Sequence, residues 1–210
     1  TMSGGYAERL TFRPPEALGG TLGSPERLDD LAVTREKARE LAALIAQGRD
    51  EGGTVVYTGA GISVACGIPD FRGPQGIWTL QSQGKPLPTS QVPFPLAAPS
   101  LTHMALRALV DRGLVRFICS QNVDGLHQRS GVPADKLAEL HGNCFIERCH
   151  RCKRTYRRAF EVETVGFKFT GRRCQEPGCR GRLKDITLDW DDPLPEEDLL
   201  KTERMAGEAA

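Results

Sequence analysis

Apolar residues recur at helical spacing from Val33 to Gln47, where Ala38, Leu41, Ala42 and Ile45 share one face, charges take the other and Gly48 supplies a stop. The period then changes. Thr54-Val55-Val56-Tyr57-Thr58 reads as a strand running into a glycine-rich turn. Thr102 to Arg112 is again helical, with Ala105, Leu106 and Leu109 inward and Gly113 as terminator, and Leu114 to Cys119 is a second strand. Strand, turn, helix and strand in that order predict a parallel, Rossmann-like α/β sheet, in which ligands bind outside the carboxyl ends of the strands. Residues 1–32 show no clear periodicity and predict an irregular arm. Residues 81–99, rich in Pro, Gln and Ser, predict an exposed connection. The expected organisation is an arm (1–32), the first part of the α/β domain (33–143), an inserted cysteine-bearing module (144–184), then a return strand at Asp185–Trp190 and an acidic tail (185–210).

Composition narrows this picture. At 210 residues the chain can hold one sizeable core with a small module attached, and 23 Gly with 14 Pro imply many turns. No apolar run approaches membrane-spanning length and no secretory h-region is evident, so no membrane partner is expected. The formal net charge of +1 hides an uneven distribution. Glu147 to Lys184 carries twelve Lys or Arg against four acids, whereas Asp185 to Ala210 carries nine acids against two bases. The basic stretch (Arg148, Arg151, Lys153, Arg154, Arg157, Arg158, Arg172, Arg173, Arg180, Arg182, Lys184) has two readings: charged solvation of a module with little core, or contact with nucleic acid or an acidic chromatin surface.

Seven cysteines without a secretory signal favour reduced thiols and metal ligands over a disulfide framework, as in a cytosolic or nuclear protein. Cys149-x2-Cys152 and Cys174-x4-Cys179 have the short ligand spacings of a four-thiolate Zn²⁺ site, which fills its coordination sphere and is therefore structural. Cys144 and His150 are the nearest substitute ligands. Cys66 and Cys119 read as buried apolar thiols.

Two segments carry the remaining chemistry. In Thr58-Gly59-Ala60-Gly61-Ile62-Ser63, missing Cβ atoms let the chain turn sharply and bring N–H groups close to a phosphate. The turn departs from the usual dinucleotide fingerprint, with Val64 at the third glycine position, and alone it is equally an ordinary tight turn. Arg72, in Asp70-Phe71-Arg72-Gly73, can meet a phosphate or ribose, while Phe71 and Trp78 offer apolar faces for a ring or pack in the core. The second segment, Gln121-Asn122-Val123-Asp124-Gly125-Leu126-His127, groups amides and a carboxylate just past a strand, suited to orienting a ribose or carboxamide or to satisfying an Asx-rich turn. Among four histidines, His141 in Leu140-His141-Gly142-Asn143 has a side chain suited to proton uptake near neutrality, whereas His103 and His127 read as structural.

Taken in order, the glycine turn, Gly67-Ile68-Pro69-Asp70-Phe71-Arg72-Gly73-Pro74, Gln121–His127 and Leu140–Asn143 resemble the motif set of the sirtuins, NAD-dependent protein deacylases. The resemblance spans about Val33 to Leu200. Arg72–Thr79, Ser120–His127 with Arg129-Ser130-Gly131, and Leu188–Pro195 are most similar to the class of human sirtuins six and seven.

That resemblance implies an NAD site formed by Gly59, Ala60, Gly61, Ser63, Val64, Asp70, Phe71, Arg72, Trp78, Gln121, Asn122 and His141, with catalysis by His141, Asn122 and Asp124. It implies loss of nicotinamide, attack by the acyl-lysine carbonyl oxygen, and proton withdrawal by His141, giving free lysine and O-acyl-ADP-ribose. It further implies acylated lysines on histone tails as substrate and a nuclear location. The alternatives are a scaffold without turnover that holds chromatin or nucleic acid through the basic zinc module, and ADP-ribosyl transfer to protein by the same NAD chemistry with a different acceptor. The family pattern continues into a strand with a Gly-Thr-Ser or Gly-Ser-Ser turn that these 210 residues do not contain. The expectation is therefore an α/β domain incomplete at its C-terminus, of marginal stability and weak NAD affinity.

Overall fold

The computed structural model describes residues 5–11, 13–87 and 92–209. Residues 1–4 and 12 of the expected arm, 88–91 of the proline-rich connection, and 210 of the tail lie outside the described residues. Helices α1 (Gly5–Arg9) and α2 (Leu31–Gly48) precede strand β1 (Thr54–Thr58). Helices α3 (Ile77–Ser82) and α4 (Leu101–Asp111) lead to β2 (Val115–Ser120), the short α5 (Leu126–Arg129) and β3 (Leu137–Glu139). Four strands follow, β4 (Ile146–Cys149), β5 (Thr155–Arg157), β6 (Phe169–Arg173) and β7 (Arg182–Asp185), and then α6 (Glu196–Gly207).

The strands form two sheets. A parallel sheet has the order β1-β2-β3, with Thr58 opposite Ser120 and Ser120 opposite Glu139. Its central strand is buried on both faces, which explains its almost unbroken apolar run. Leu106 and Leu109 of α4 cover Val115, Ile118 and Leu137 on one side. Met205 of α6 reaches Phe117, Cys119 and Ala138 on the other. Helices on both faces of a parallel sheet make this the expected Rossmann-like α/β architecture. The second sheet is antiparallel, in the order β5-β4-β7-β6, and carries all four paired cysteines on or beside its strands. Buried Glu147 anchors it, accepting from Arg158 at 2.5 Å, from Arg172 at 2.7 Å and from the Thr170 hydroxyl.

Two sequence expectations change. Helix α2 forms where predicted, with the Asp30 carboxylate capping the Val33 N–H at 2.9 Å. Its predicted face, however, is mostly uncovered: Leu41 is 58% exposed, Ala38 and Ala42 are exposed, and Ile45 is half-buried. Asp185–Trp190 does not return to the parallel sheet. The Asp185 carboxylate accepts the Phe167 and Lys168 N–H groups at 2.9 and 2.8 Å, keeping that residue in the second sheet. Leu188 N–H then bonds the His141 carbonyl at 3.0 Å, so the chain runs beside the His141 loop without joining the parallel ladder. The acidic tail is helical, because Glu196, Glu197 and Asp198 occupy the first turn of α6, where negative charge complements the helix dipole. No helix among the described residues is long and apolar enough to cross a membrane.

Candidate active site and metal centre

β1 and β2 are adjacent and parallel, so the loops leaving them emerge at the same edge of the sheet. After β1 the chain winds through a 3-10 turn, Ala60–Cys66, closed by Gly67 in the left-handed region at φ 80°. Gly59 has φ −133° and ψ −171°, a conformation open to any residue. Backbone turning is therefore not the reason for glycine here. A Cβ on Gly59 or Gly61 would meet no protein atom within 4 Å, and both residues line a cleft. The missing side chains leave room for a ligand to reach the backbone.

The two motif loops interlock. Ser63 Oγ donates to Asp124 Oδ2 at 2.7 Å, and Leu126 N–H donates to Asp124 Oδ1 at 2.8 Å. Asn122 Nδ2 donates to the Gly59 carbonyl at 3.0 Å. Beneath them, Thr58 Oγ1 lies 2.9 Å from His127 Nε2. The His127 ring packs 4.9 Å from that of His103, and His103 Nδ1 sits 2.8 Å from Ser100 Oγ at the start of α4. Burial pushes the His127 imidazole down to about 4, with His103 pushing the same way. His103 is also lowered by burial, with Arg129 adding to that effect and Asp124 opposing it.

His141 follows β3 and faces the same cleft. Burial lowers its basicity, opposed by a hydrogen bond to the Gln121 backbone. The next residue, Gly142, has φ 82°, and a Cβ there would lie 2.0 Å from the Ile186 carbonyl oxygen, so glycine is required for the close passage of that segment. Also lining the cleft, the Phe71 and Trp78 rings are 4.6 Å apart, and Trp78 packs tilted, 4.9 Å from Trp190. The Arg72 guanidinium lies 4.5 Å over Trp78 and donates to the Leu18 carbonyl at 3.2 Å. Trp78 both packs in the core and lines the cleft, so its two sequence readings hold together.

The cleft has a volume of about 890 Å³, in the upper part of the usual range for ligand sites. It gathers Gly59, Ala60, Gly61, Ser63, Asp70, Phe71, Arg72, Trp78, Gln121, Asn122, Asp124 and His141. Val64 is the exception: the 3-10 turn directs it away, 50% exposed, and it does not line the cleft. Sequence reasoning missed Tyr6 and Leu10 of the arm, and Leu188 and Trp190 beyond the second sheet. Tyr6 Oη donates to the Leu188 carbonyl at 2.6 Å, and Thr11 Oγ1 to Asp189 Oδ2 at 2.6 Å, so the arm is seated on the cleft rim. No periodicity marked the arm residues. Leu188 and Trp190 carried a signal of likeness but none of position.

The metal centre is separate. The Sγ atoms of Cys149, Cys152, Cys174 and Cys179 all lie within 4.8 Å of one another. The Cys149–Cys179 and Cys152–Cys174 separations are both 3.6 Å. A disulfide needs about 2.05 Å, whereas four thiolates about 2.3 Å from one zinc stand roughly 3.8 Å apart, so the donor set fits tetrahedral Zn²⁺. Tyr156 Oη lies 3.0 Å from Cys174 Sγ and can orient it from outside the ligand shell. Gly181 is required beside the cluster, since a Cβ there would fall 2.4 Å from Cys149 Sγ. Cys144 and His150 lie outside the group. His150 Nδ1 is occupied by the Arg182 backbone at 3.0 Å.

A profile of the Sir2 family matches residues 59–94 and 87–202. NAD-dependent protein deacetylase SRT1 of Oryza sativa subsp. indica is 52% identical over 198 residues, covering 94% of this chain and 40% of that protein. NAD-dependent protein deacetylase Sirt6 of Drosophila melanogaster is 46% identical over 205 residues, covering 94% of this chain and 62% of that protein. The chain thus spans about two fifths of the length of the rice relative. A solved Sir2 complex with p53 peptide and NAD+ superposes with a TM-score of 0.56 at 29% identity, over 81% of this chain and 71% of that one. Profile, relatives and fold agree: the chain belongs to the Sir2 family.

Proposed function

We propose that this protein is an NAD-dependent protein-lysine deacylase. One observation carries the reading: His141, Asn122, Asp124 and the open glycine turn, separated by up to 82 residues, line a single cleft. The backbone of Gly59 to Gly61 would cradle the diphosphate, with Ser63 and Arg72 as polar partners. Phe71 and Trp78 would cover the nicotinamide end and exclude water. Gln121, Asn122 and Asp124 would orient ribose hydroxyls and the carboxamide. Burial favours the neutral imidazole of His141, which would take the proton. When bound, NAD supplies an anomeric carbon with nicotinamide as leaving group, and the products are free lysine, nicotinamide and O-acyl-ADP-ribose. The zinc would hold the second sheet together and take no part in the reaction.

The substrate proposed is an acylated lysine in an extended peptide, supported by the peptide in the related Sir2 complex. Histone tails, chromatin and a nuclear setting are the finer reading. It is supported by the exposed basic surface of the second sheet, including Arg148, Arg151, Lys153, Arg173 and Arg180. Arg158 and Arg172 do not add to that surface, since both are paired with Glu147. A DNA titration with affinity that falls as salt rises supports this surface as a contact; no affinity at low ionic strength removes it.

The deciding experiment is mass-spectrometric detection of deacylated peptide and O-acyl-ADP-ribose from acetylated and long-chain-acylated histone peptides. Product that requires both NAD and His141, tested with His141→Ala, is the expected result. Absence of product from folded, zinc-loaded protein would favour a binding role without turnover. ADP-ribose on protein acceptors would favour transferase activity.

A further inference from the structure

Glu139 closes β3 two residues before His141, and its buried side chain does not line the cleft. Gln128 Nε2 of α5 donates to its Oε2 at 2.5 Å. Asn143 Nδ2 donates to Oε1 at 2.9 Å and to Oε2 at 3.1 Å. Helix α5 begins directly after the loop that carries Asn122 and Asp124, and Asn143 lies two residues beyond His141. One carboxyl group therefore grips both motif loops from behind.

The surroundings make this grip specific. Asn143 Oδ1 accepts the Phe145 N–H at 2.9 Å, which fixes the orientation of its amide. Asn143 Nδ2 lies 3.1 Å from where a Cβ on Gly125 would be, so the Asn143 amide is packed against the left-handed turn that ends the Asn122–Asp124 loop. Two backbone bonds complete the join, Cys144 N–H to the Val123 carbonyl and Leu140 N–H to the Ser120 carbonyl, both at 2.9 Å.

We propose that Glu139 is the positioning residue that holds the His141 loop against the Asn122–Asp124 loop, so that the base and the sugar-orienting groups face one cleft in fixed relation. The proposal rests on the deacylase reading above. Glu139 acts through Gln128 and Asn143, with no contact of its own to the cleft.

Burial pushes the Glu139 carboxyl up to about 8. Asn143 opposes the shift, Asp124 from the loop after β2 adds to it, Arg157 of β5 opposes it and Asp198 of α6 adds to it. The carboxyl is accordingly neutral at pH 7 and ionises in the mildly alkaline range, where a buried charge that forms no ion pair among the described residues disfavours the closed arrangement.

Steady-state deacylation by the full zinc-loaded protein, measured from pH 6.5 to 9.5, tests this with Glu139→Gln and Glu139→Ala. Wild-type kcat should fall above a pH of about 8, following the carboxyl. Glu139→Gln, similar in shape and unable to ionise, should stay within about threefold at pH 7.5 and lose that alkaline fall. Glu139→Ala should lower kcat by about 10- to 100-fold, with KM for NAD changed by less than about threefold, as expected when a reacting group is displaced by about 1 Å. A kcat for Glu139→Ala within about twofold of wild type, or the same alkaline fall in Glu139→Gln, would overturn the proposal.

Amide hydrogen exchange separates this from failure of the deacylase reading, because it needs no activity. Glu139→Ala should speed exchange at Leu140 and Cys144 and leave the β1 and β2 amides unchanged. Unchanged exchange at Leu140 and Cys144 overturns the proposal even if the wild type proves inactive. If the alanine variant also loses protection in β1 and β2, Gln128→Ala, which cuts one arm of the bridge, becomes the deciding comparison under the same two outcomes.

Discussion

Ser63 Oγ donates to Asp124 Oδ2 at 2.7 Å, joining the turn after β1 to the loop after β2 across 61 residues of sequence. Both side chains are buried, so the Asp124 carboxylate depends on this donor and on the Leu126 N–H. Ser63→Ala leaves one carboxylate oxygen without that donor. A hydrogen bond to a charged group contributes about 1.5–3 kcal/mol, and urea denaturation should show a loss near 2 kcal/mol. A change below about 0.5 kcal/mol would mean that Asp124 finds another partner.

Gly59 separates stability from ligand binding. Its backbone is extended and a Cβ meets no protein atom, so Gly59→Ala should leave the melting temperature unchanged or raise stability by about 0.4–1 kcal/mol. The added methyl occupies the cleft. NAD affinity by calorimetry should fall at least about tenfold, equivalent to about 1.4 kcal/mol. Unchanged affinity would move the diphosphate away from this turn.

The buried His103–His127 pair predicts acid sensitivity. The His127 pKa is depressed from 6.5 to about 4, so folding favours the neutral imidazole. Its contribution is fully present above a pH of about 6.5 and is lost as pH falls through about 4, on the order of 3 kcal/mol in all. Urea melts at pH 7.5 and 5.0 should differ accordingly, and His127→Asn, which does not titrate there, should reduce the difference. An equal difference in the variant would place the acid sensitivity elsewhere.

The thiolate cluster predicts about one zinc per chain by elemental analysis. Cys179→Ser should abolish stoichiometric zinc and unfold the second sheet, since metal binding and folding of such a module are coupled. Exchange protection should vanish from β4 to β7 and persist in β1 and β2. Retained zinc after loss of a single cysteine would point to Cys144 or His150 as a replacement ligand.

Local chemistry was legible wherever the signal lay within one segment. The strand at Thr54–Thr58, the helix ending before Gly113 and the two cysteine pairs all depend on short spacings, and each has its place in the structure. His141, Asn122 and Asp124 could be singled out only because several short motifs occurred together. Val64 shows the limit: its place in the motif was plain, yet a 3-10 turn points it outward.

What the sequence determined by itself was propensity: the helices α2 and α4, the strands β1 and β2, which positions carry ligating or titratable groups, and the family they resemble. Only the tertiary structure decided coverage and company. Ala38, Leu41 and Ala42 have the periodicity of a packed face and remain exposed, because burial depends on which other segment arrives. Tyr6 reaches Leu188 from 182 residues away, and Glu139 grips Gln128 and Asn143 by virtue of how three loops pack. Such contacts are set by the summed packing of distant elements, which no local pattern of residues encodes.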